Sequence, residues 1–85
     1  MKEIKYTIQD ALGIHARPAG QIVNEAKKYS STIMIDAGEK KANAARLMAV
    51  MALGVKCGQS ITVTAEGDDE DAAIESMQKF FETNL

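Results

Sequence analysis

Apolar and polar residues alternate along three segments of the chain, 4–8, 32–36 and 61–66. Alternation with a period of two is the pattern of a strand that buries one face. Gly38 belongs to a hairpin signal, and we expect the short segment that follows it, near 40–43, to pair back as another strand. Because each predicted strand buries only one face, the sheet should be antiparallel or mixed, with helices covering one side.

Three other segments place apolar residues at helical spacing. The first runs from about 16 to 29, where two serines interrupt it. The second is short and ends where Gly54 can form a left-handed cap. The third opens with the acidic sequence GDDED, whose charges are favoured at the positive end of a helix dipole. The predicted order of elements is β-α-β-β-α-β-α, in one domain that spans residues 1–85.

Composition and charge narrow the classes of function. The net charge is −2 and the Lys and Arg residues are scattered, which argues against nucleic-acid binding. The first residues have no apolar core for a signal peptide, and no segment is apolar enough to insert into a membrane, so we expect a cytoplasmic protein. Cys57 is the only cysteine, which excludes an intramolecular disulfide. We interpret it as a small residue near a turn rather than as a reactive thiol.

The most informative stretch is GIHARPAG, residues 13–20, which holds the only histidine and the only proline of the chain. It lies where the first predicted strand ends and the first helix begins. If His15 is the N-cap, the N–H groups of Ala16 and Arg17 have no partner within the helix. Pro18 has no N–H, and its fixed φ suits a first turn. Free N–H groups at the positive end of a helix form an anion site.

A phosphoryl group on the His15 ring would meet its stabilising groups already in place. The guanidinium of Arg17 can hold a phosphate with two hydrogen bonds. The helix dipole disfavours an imidazolium and so helps to keep His15 neutral and nucleophilic. Gly13 allows a sharp turn, and Ala16 and Gly20 leave the approach to the ring open. Taken alone, the histidine could also be a surface or capping residue with a chance arginine nearby.

The whole chain resembles the HPr family, the histidine-containing phosphocarriers of the bacterial sugar phosphotransferase system. The likeness rests on GIHARPAG, on LMAVMALGV in the short helix, and on ITVTAEGDDEDAAIESM in the last strand and helix. The order and spacing of the elements agree from end to end. The resemblance implies an α+β fold, the open-faced β-sandwich, in which a four-stranded antiparallel sheet carries three helices on one face.

The resemblance also implies a role for each residue of the motif. His15 would take a phosphoryl group on Nδ1 from phosphorylated enzyme I and pass it to the enzyme IIA domains of sugar permeases. Arg17 would stabilise the phosphate, Ala16 would supply a backbone donor, and Pro18 would fix the first turn. Such a protein is a carrier with a phosphohistidine intermediate rather than a self-contained enzyme. We expect it to be a monomer and to need neither a cofactor nor a metal ion.

A carrier must present its histidine to several partners, so we expect a partly apolar surface beside it. Leu47 and Met51 share a helical face with Val50, so each of them could belong either to the core or to the docking surface. Met48 lies off that face, and we expect it to be exposed and to contact partners, for which a flexible thioether is well suited. The predicted docking surface consists of Gly20, Arg46, Leu47, Met48 and Met51.

Two positions depart from the family pattern. Leu12 stands where many relatives carry a small polar residue, which removes one possible hydrogen bond near the phosphate. Arg46 stands where many Gram-positive relatives carry a serine that an ATP-dependent kinase phosphorylates, so we do not expect that regulation here. Arg46 is also a poor N-cap for the short helix, for which Asn43 is the better candidate.

Several other functions remain as alternatives. A self-contained enzyme would need a pocket and a second catalytic group, and the only acidic cluster is explained more simply as a helix start than as a calcium site. An RNA-binding domain would need aromatic residues on the sheet and a basic patch. A regulatory paralogue in a nitrogen-type phosphorelay stays open within the family, and a small binding module without phosphotransfer stays open outside it.

Overall fold

The computed structural model describes residues 1–85, and it confirms the predicted order of strands and helices. No helix is both long enough and apolar enough to cross a membrane. The elements are β1 (Lys2–Thr7), α1 (Ala16–Ala26), β2 (Thr32–Asp36), β3 (Lys41–Asn43), α2 (Leu47–Ala52), β4 (Ser60–Glu66) and α3 (Glu70–Asn84).

The strands form one four-stranded antiparallel sheet with the order β1-β4-β2-β3. Val63 of β4 lies opposite Ile4 of β1 on one side and opposite Ile35 of β2 on the other. Val63 and Ile35 are fully buried, and the residues on either side of them in each strand are not, so the alternation in the sequence does mark a single buried face.

The helices cover that face. Helix α3 contacts β1 and β4, and helix α1 contacts both α3 and α2. Ala73, Met77 and Phe81 of α3 are completely buried, as are Ala19 and Ile22 of α1. The fold is therefore the open-faced β-sandwich, with a four-stranded antiparallel sheet and three helices on one side.

Helix α1 ends at Ala26, three residues before the end that the apolar pattern predicts. Lys28 and Tyr29 continue as a tighter turn, in which each N–H donates to the carbonyl three residues earlier. Tyr29 is partly buried against the core, and this packing gives the turn the apolar spacing of a helix. The predicted boundary was wrong because contact with the core, and not helical geometry, explains the apolar residue at position 29.

The expectation that Asn43 caps α2 was also wrong. Arg46 is the N-cap residue, and its side chain makes no capping hydrogen bond. Asn43 instead shapes the turn before the helix: its side-chain Oδ1 accepts the N–H of Ala45 at 2.9 Å, and its carbonyl accepts the N–H of Arg46 at 3.0 Å. An asparagine side chain that accepts the N–H two residues later is a typical turn former.

Candidate functional site

The loop that carries His15 is fastened to the segment after α2. Gly13 has a φ of +67°, and a Cβ at this position would lie 2.2 Å from the carbonyl oxygen of Val55. The same carbonyl accepts the N–H of Ile14 at 3.0 Å. Only glycine combines a left-handed conformation with so close a backbone approach. Gly13 thereby fixes the path by which the chain leaves β1 and delivers His15 to the start of α1.

His15 is the N-cap of α1, with an extended backbone. Its carbonyl accepts the N–H of Ala19 at 2.9 Å, and its side chain makes no capping hydrogen bond. The N–H groups of Ala16 and Arg17 donate to no carbonyl and no side chain, and the first turn contains no acidic residue. The start of α1 therefore presents free donors and the positive end of the helix dipole to solvent.

Two side chains complete this end of the helix. Pro18 is buried at the third helical position, where a missing N–H costs no hydrogen bond. Arg17 is exposed, and its guanidinium takes part in no hydrogen bond or ion pair. The imidazole of His15 is partly exposed, at 36%. A histidine, a free guanidinium and two free N–H groups are therefore accessible at the same helix end, and such groups can bind an anion.

Asp10 lies at this site, and sequence reasoning missed it. Its Oδ1 is 3.9 Å from Nε2 of His15. That oxygen also accepts the N–H of Leu12 at 2.8 Å, and the carbonyl of Asp10 accepts the N–H of Gly13 at 2.9 Å. The signal that could have found it is an aspartate three residues before a glycine, which is a turn pattern. The turn folds the carboxylate back toward the histidine.

Helix α2 lies beside α1 and exposes the predicted docking residues to different degrees. Met48 is 77% exposed, as its position off the buried face predicts, whereas Val50 is fully buried. Leu47 and Met51 lie between these extremes, at 43% and 40%. Arg46 is exposed at the start of α2, and beyond the backbone of its own helix and its chain neighbours Gly20 in α1 has no atom within 4 Å of the position that a Cβ would occupy. Together these residues form a surface with a large apolar component.

Two of the three carboxylates with lowered pKa values, Glu25 and Asp69, bond to residues at or after the C-terminal end of α1 or in α3. A hydrogen bond from Lys28 at 2.9 Å lowers the pKa of Glu25, against a smaller opposing effect of burial. The pKa of Asp69 is lowered chiefly by the hydroxyl of Ser31, and further by the N–H groups of Ser30 and Ser31. Both carboxylates tie α3 to the C-terminal end of α1 or to the loop that follows it, so their role is structural.

Comparison with known proteins identifies the chain's relatives. A family model described as "PTS HPr component phosphorylation site" matches residues 2–83. The phosphocarrier protein HPr of Mycoplasma capricolum subsp. capricolum is 43% identical over 79 residues, which cover 93% of this chain and 89% of the relative. The crystal structure of HPr-C-His from Thermoanaerobacter tengcongensis has a TM-score of 0.92 at 42% identity, over 98% of this chain and 93% of that one.

A further structure bears on oligomeric state. The structure described as an HPr dimer from Thermoanaerobacter tengcongensis matches with a TM-score of 0.77 at 42% identity, over 98% of this chain and 95% of that one. Close relatives of this chain can therefore form dimers. The monomer that the sequence leads us to expect is not established by its relatives.

Proposed function

Because this chain belongs to the HPr family, the phosphocarriers of the phosphotransferase system, we propose that His15 is the residue that carries the phosphoryl group. One observation supports this most strongly. The only histidine of the chain lies, partly exposed, at a helix N-terminus whose N–H donors and neighbouring guanidinium have no partner within the protein. These are the groups that a transferred phosphoryl oxygen would use.

In the proposed step, the lone pair of Nδ1 of His15 forms a bond to phosphorus as the nitrogen–phosphorus bond of phosphorylated enzyme I breaks. The electron pair of the broken bond returns to the donor nitrogen. Negative charge on the phosphoryl oxygens is met by the N–H groups of Ala16 and Arg17 and by the Arg17 guanidinium. Pro18 holds the first turn in place. The reverse chemistry at an enzyme IIA domain passes the group on.

The partners are proteins of the phosphotransferase system, and we propose that they dock on α2 and the start of α1. Met48, Leu47 and Met51 supply an exposed apolar surface on a helix that packs against α1. Arg46 adds a positive charge that favours encounter with an acidic partner face, and Gly20 leaves room for a partner to approach. A surface rich in flexible thioethers can repack against different partners in turn.

We propose that residues 1–85 act as one HPr-like domain, as a monomer in the cytoplasm, without nucleic acid and without inserting into a membrane. The proposal of a monomer is supported by the site itself, since the histidine, the guanidinium and the N–H donors all come from one chain. The net charge of −2 argues against a nucleic-acid partner. Light scattering at the concentration used for transfer assays tests the oligomeric state.

Arg46 leads us to propose that this carrier lacks the serine switch of some relatives. An arginine cannot accept a phosphoryl group at this position, and its positive charge is permanent. Incubation with the relatives' kinase and ATP should leave the protein a competent acceptor. Mass spectrometry that found a stoichiometric phosphoserine, together with blocked transfer, would show that regulation acts through another residue.

The experiment that tests the function uses phosphoenolpyruvate and enzyme I with wild-type protein and the variant His15→Ala. We expect wild type to take up one phosphate that is labile in acid and stable in base, and the variant to take up none. Circular dichroism should give the same Tm for both proteins, because the His15 side chain makes no hydrogen bond within the fold. Undiminished labelling of His15→Ala would refute the proposal.

A further inference from the structure

The carboxylate of Asp10 faces the ring nitrogen of His15 that the proposed transfer does not use. Its Oδ1 lies 3.9 Å from Nε2, and His15 is the only basic side chain within ion-pair distance of Asp10. Both side chains are partly exposed, at 31% and 36%. No hydrogen-bond partner is present at Nδ1. The two nitrogens of the ring therefore have different surroundings: one faces a carboxylate, and the other is open.

Three hydrogen bonds hold Asp10 in place, one to its carboxylate and two to its backbone. The N–H of Leu12 donates to Oδ1 at 2.8 Å, and the N–H of Gly13 donates to the Asp10 carbonyl at 2.9 Å. The N–H of Asp10 itself donates to the carbonyl of Leu85 at 2.8 Å. The Leu12 N–H therefore orients the carboxylate without help from the imidazole. Asp10 can therefore orient the imidazole.

We propose, on the basis of the function proposed above, that Asp10 is a positioning residue for phosphoryl transfer. A carboxylate only accepts hydrogen bonds, so it favours the tautomer of neutral His15 that carries its proton on Nε2. The lone pair is then on Nδ1, where the phosphoryl group arrives. The distance of 3.9 Å is an ion-pair distance and not a hydrogen bond, and such contacts commonly shorten when the reacting partner is bound.

Asp10 also balances a charge that the step creates. When neutral His15 attacks through Nδ1 and keeps its proton on Nε2, the phosphorylated ring becomes positively charged. The phosphoryl oxygens are held by Arg17 and the N–H groups of α1, and the ring's own positive charge faces Asp10. The carboxylate thus stabilises the product of the acceptance step through the nitrogen opposite the phosphorus. The geometry explains why an acidic residue is tolerated next to a site for an anion.

The test is Asp10→Asn, which keeps an Oδ1 to accept the Leu12 N–H but removes the charge. We expect the kcat for phosphorylation by phosphorylated enzyme I to fall by about two- to fivefold, the range for a partly exposed ion pair, with KM and Tm unchanged. NMR of the ring nitrogens in the unphosphorylated protein should show a smaller share of the Nε2–H tautomer. Asp10→Glu keeps the negative charge but moves the carboxylate by one methylene, so this variant should retain part of the kcat that Asp10→Asn loses.

Asp36→Asn is the matched control, because Oδ1 of Asp36 likewise accepts an N–H two residues later, from Gly38 at 2.8 Å. It should change neither kcat nor the tautomer. If Asp10→Asn leaves both the kcat and the tautomer unchanged, or alters only Tm, the positioning role is refuted. Failure of the wild-type protein to accept phosphate on His15 would instead refute the proposed function, and the tautomer measurement would still report on Asp10.

Discussion

The first turns of helices α1 and α3 both lack a capping hydrogen bond, but the charges around them are opposite. In neither helix does the side chain of the N-cap residue accept a hydrogen bond from the helix's own first turn. At the start of α3, Glu70 and Asp71 place carboxylates in the first turn, and the N-cap Asp69 accepts hydrogen bonds from Ser30 and Ser31. We refer to residues 69–71 together with Ser30 and Ser31 as the closed end.

The start of α1 has no acidic residue, and it carries a histidine and an unpaired arginine. We refer to residues 15–18 as the open end. The positive end of a helix dipole therefore has a different role in each of the two helices. At the closed end the protein supplies its own negative charge to the helix dipole, and this stabilises the fold. Under the proposed function, that charge comes at the open end from the phosphoryl group, so the favourable interactions form only when a partner delivers it.

The largest expected effect comes from removing the cation of the open end. Arg17→Ala should slow phosphorylation of His15 by about 10- to 150-fold, which corresponds to about 1.5–3 kcal/mol for hydrogen bonds to a charged group. Arg17→Lys should fall between this variant and wild type, since lysine keeps the charge without the planar fork. Stopped-flow transfer in both directions measures the effect. Unchanged kinetics in both variants would remove Arg17 from the site.

The open end can also be made to resemble the closed end. Ala16→Glu places a carboxylate in the first turn of α1, where it should stabilise the helix by about 0.3–1 kcal/mol. The same charge should repel the phosphoryl group and slow transfer by roughly five- to tenfold. Ala16→Gln is the neutral control of similar size. If Ala16→Glu transfers the phosphoryl group as fast as Ala16→Gln does, the free positive end of α1 contributes little to transfer.

The converse change weakens the closed end. Ser31→Ala removes a largely buried hydroxyl that donates to Asp69, and we expect a loss of about 1 kcal/mol in the free energy of unfolding. For a domain of this size that loss lowers Tm by about 4–8 °C. Ser30→Ala is the matched control, because only the backbone N–H of Ser30 bonds to Asp69. Phosphoryl transfer should be the same in both variants, and a slower transfer in Ser31→Ala would contradict the separation of the two ends.

The closed end also predicts how stability depends on pH. The pKa of Asp69 is lowered in the fold below its ordinary value of 3.8, chiefly by the Ser31 hydroxyl. Its contribution is therefore complete above the unfolded value and is lost as the pH falls through the lowered one. Urea unfolding of Asp69→Asn should show a stability deficit at pH 7 that shrinks in acid. The loss of acid sensitivity should be partial, since Glu25 and Glu70 also have lowered pKa values.

The smallest expected effect concerns the surface beside the open end. Met48→Asp should raise the KM for enzyme I by about three- to fivefold, because it puts a charge into an apolar contact. Its Tm should change little, as is usual for an exposed position. Val50→Ala, two residues away and fully buried, should do the reverse and lower Tm with KM unchanged. A large loss of Tm in Met48→Asp with an unchanged KM would mean that Met48 supports the fold.

Local patterns in the sequence predict most of the fold and the residues from His15 to Pro18, but not Asp10. Alternation locates three of the four strands and the hairpin signal at Gly38 locates the fourth, β3. The donors around His15 follow from its place as an N-cap. The spacing of Asp10 and Gly13 marks a turn, but the approach of Asp10 to His15 could not be predicted, because it depends on how Gly13 packs against Val55, a residue far along the chain. Asp69 and Ser31 are 38 positions apart and meet only through the packing of α3 on α1.

The central claim is that the phosphoryl group is carried on Nδ1 of His15 at the open end. The direct test is NMR of isotope-labelled protein after incubation with phosphoenolpyruvate and enzyme I. Because the chain has a single histidine, the ring signals need no assignment by mutation. We predict that scalar coupling to phosphorus appears on Nδ1 alone and disappears when an enzyme IIA domain is added. Coupling on Nε2, or phosphate on any residue other than His15, would contradict the claim.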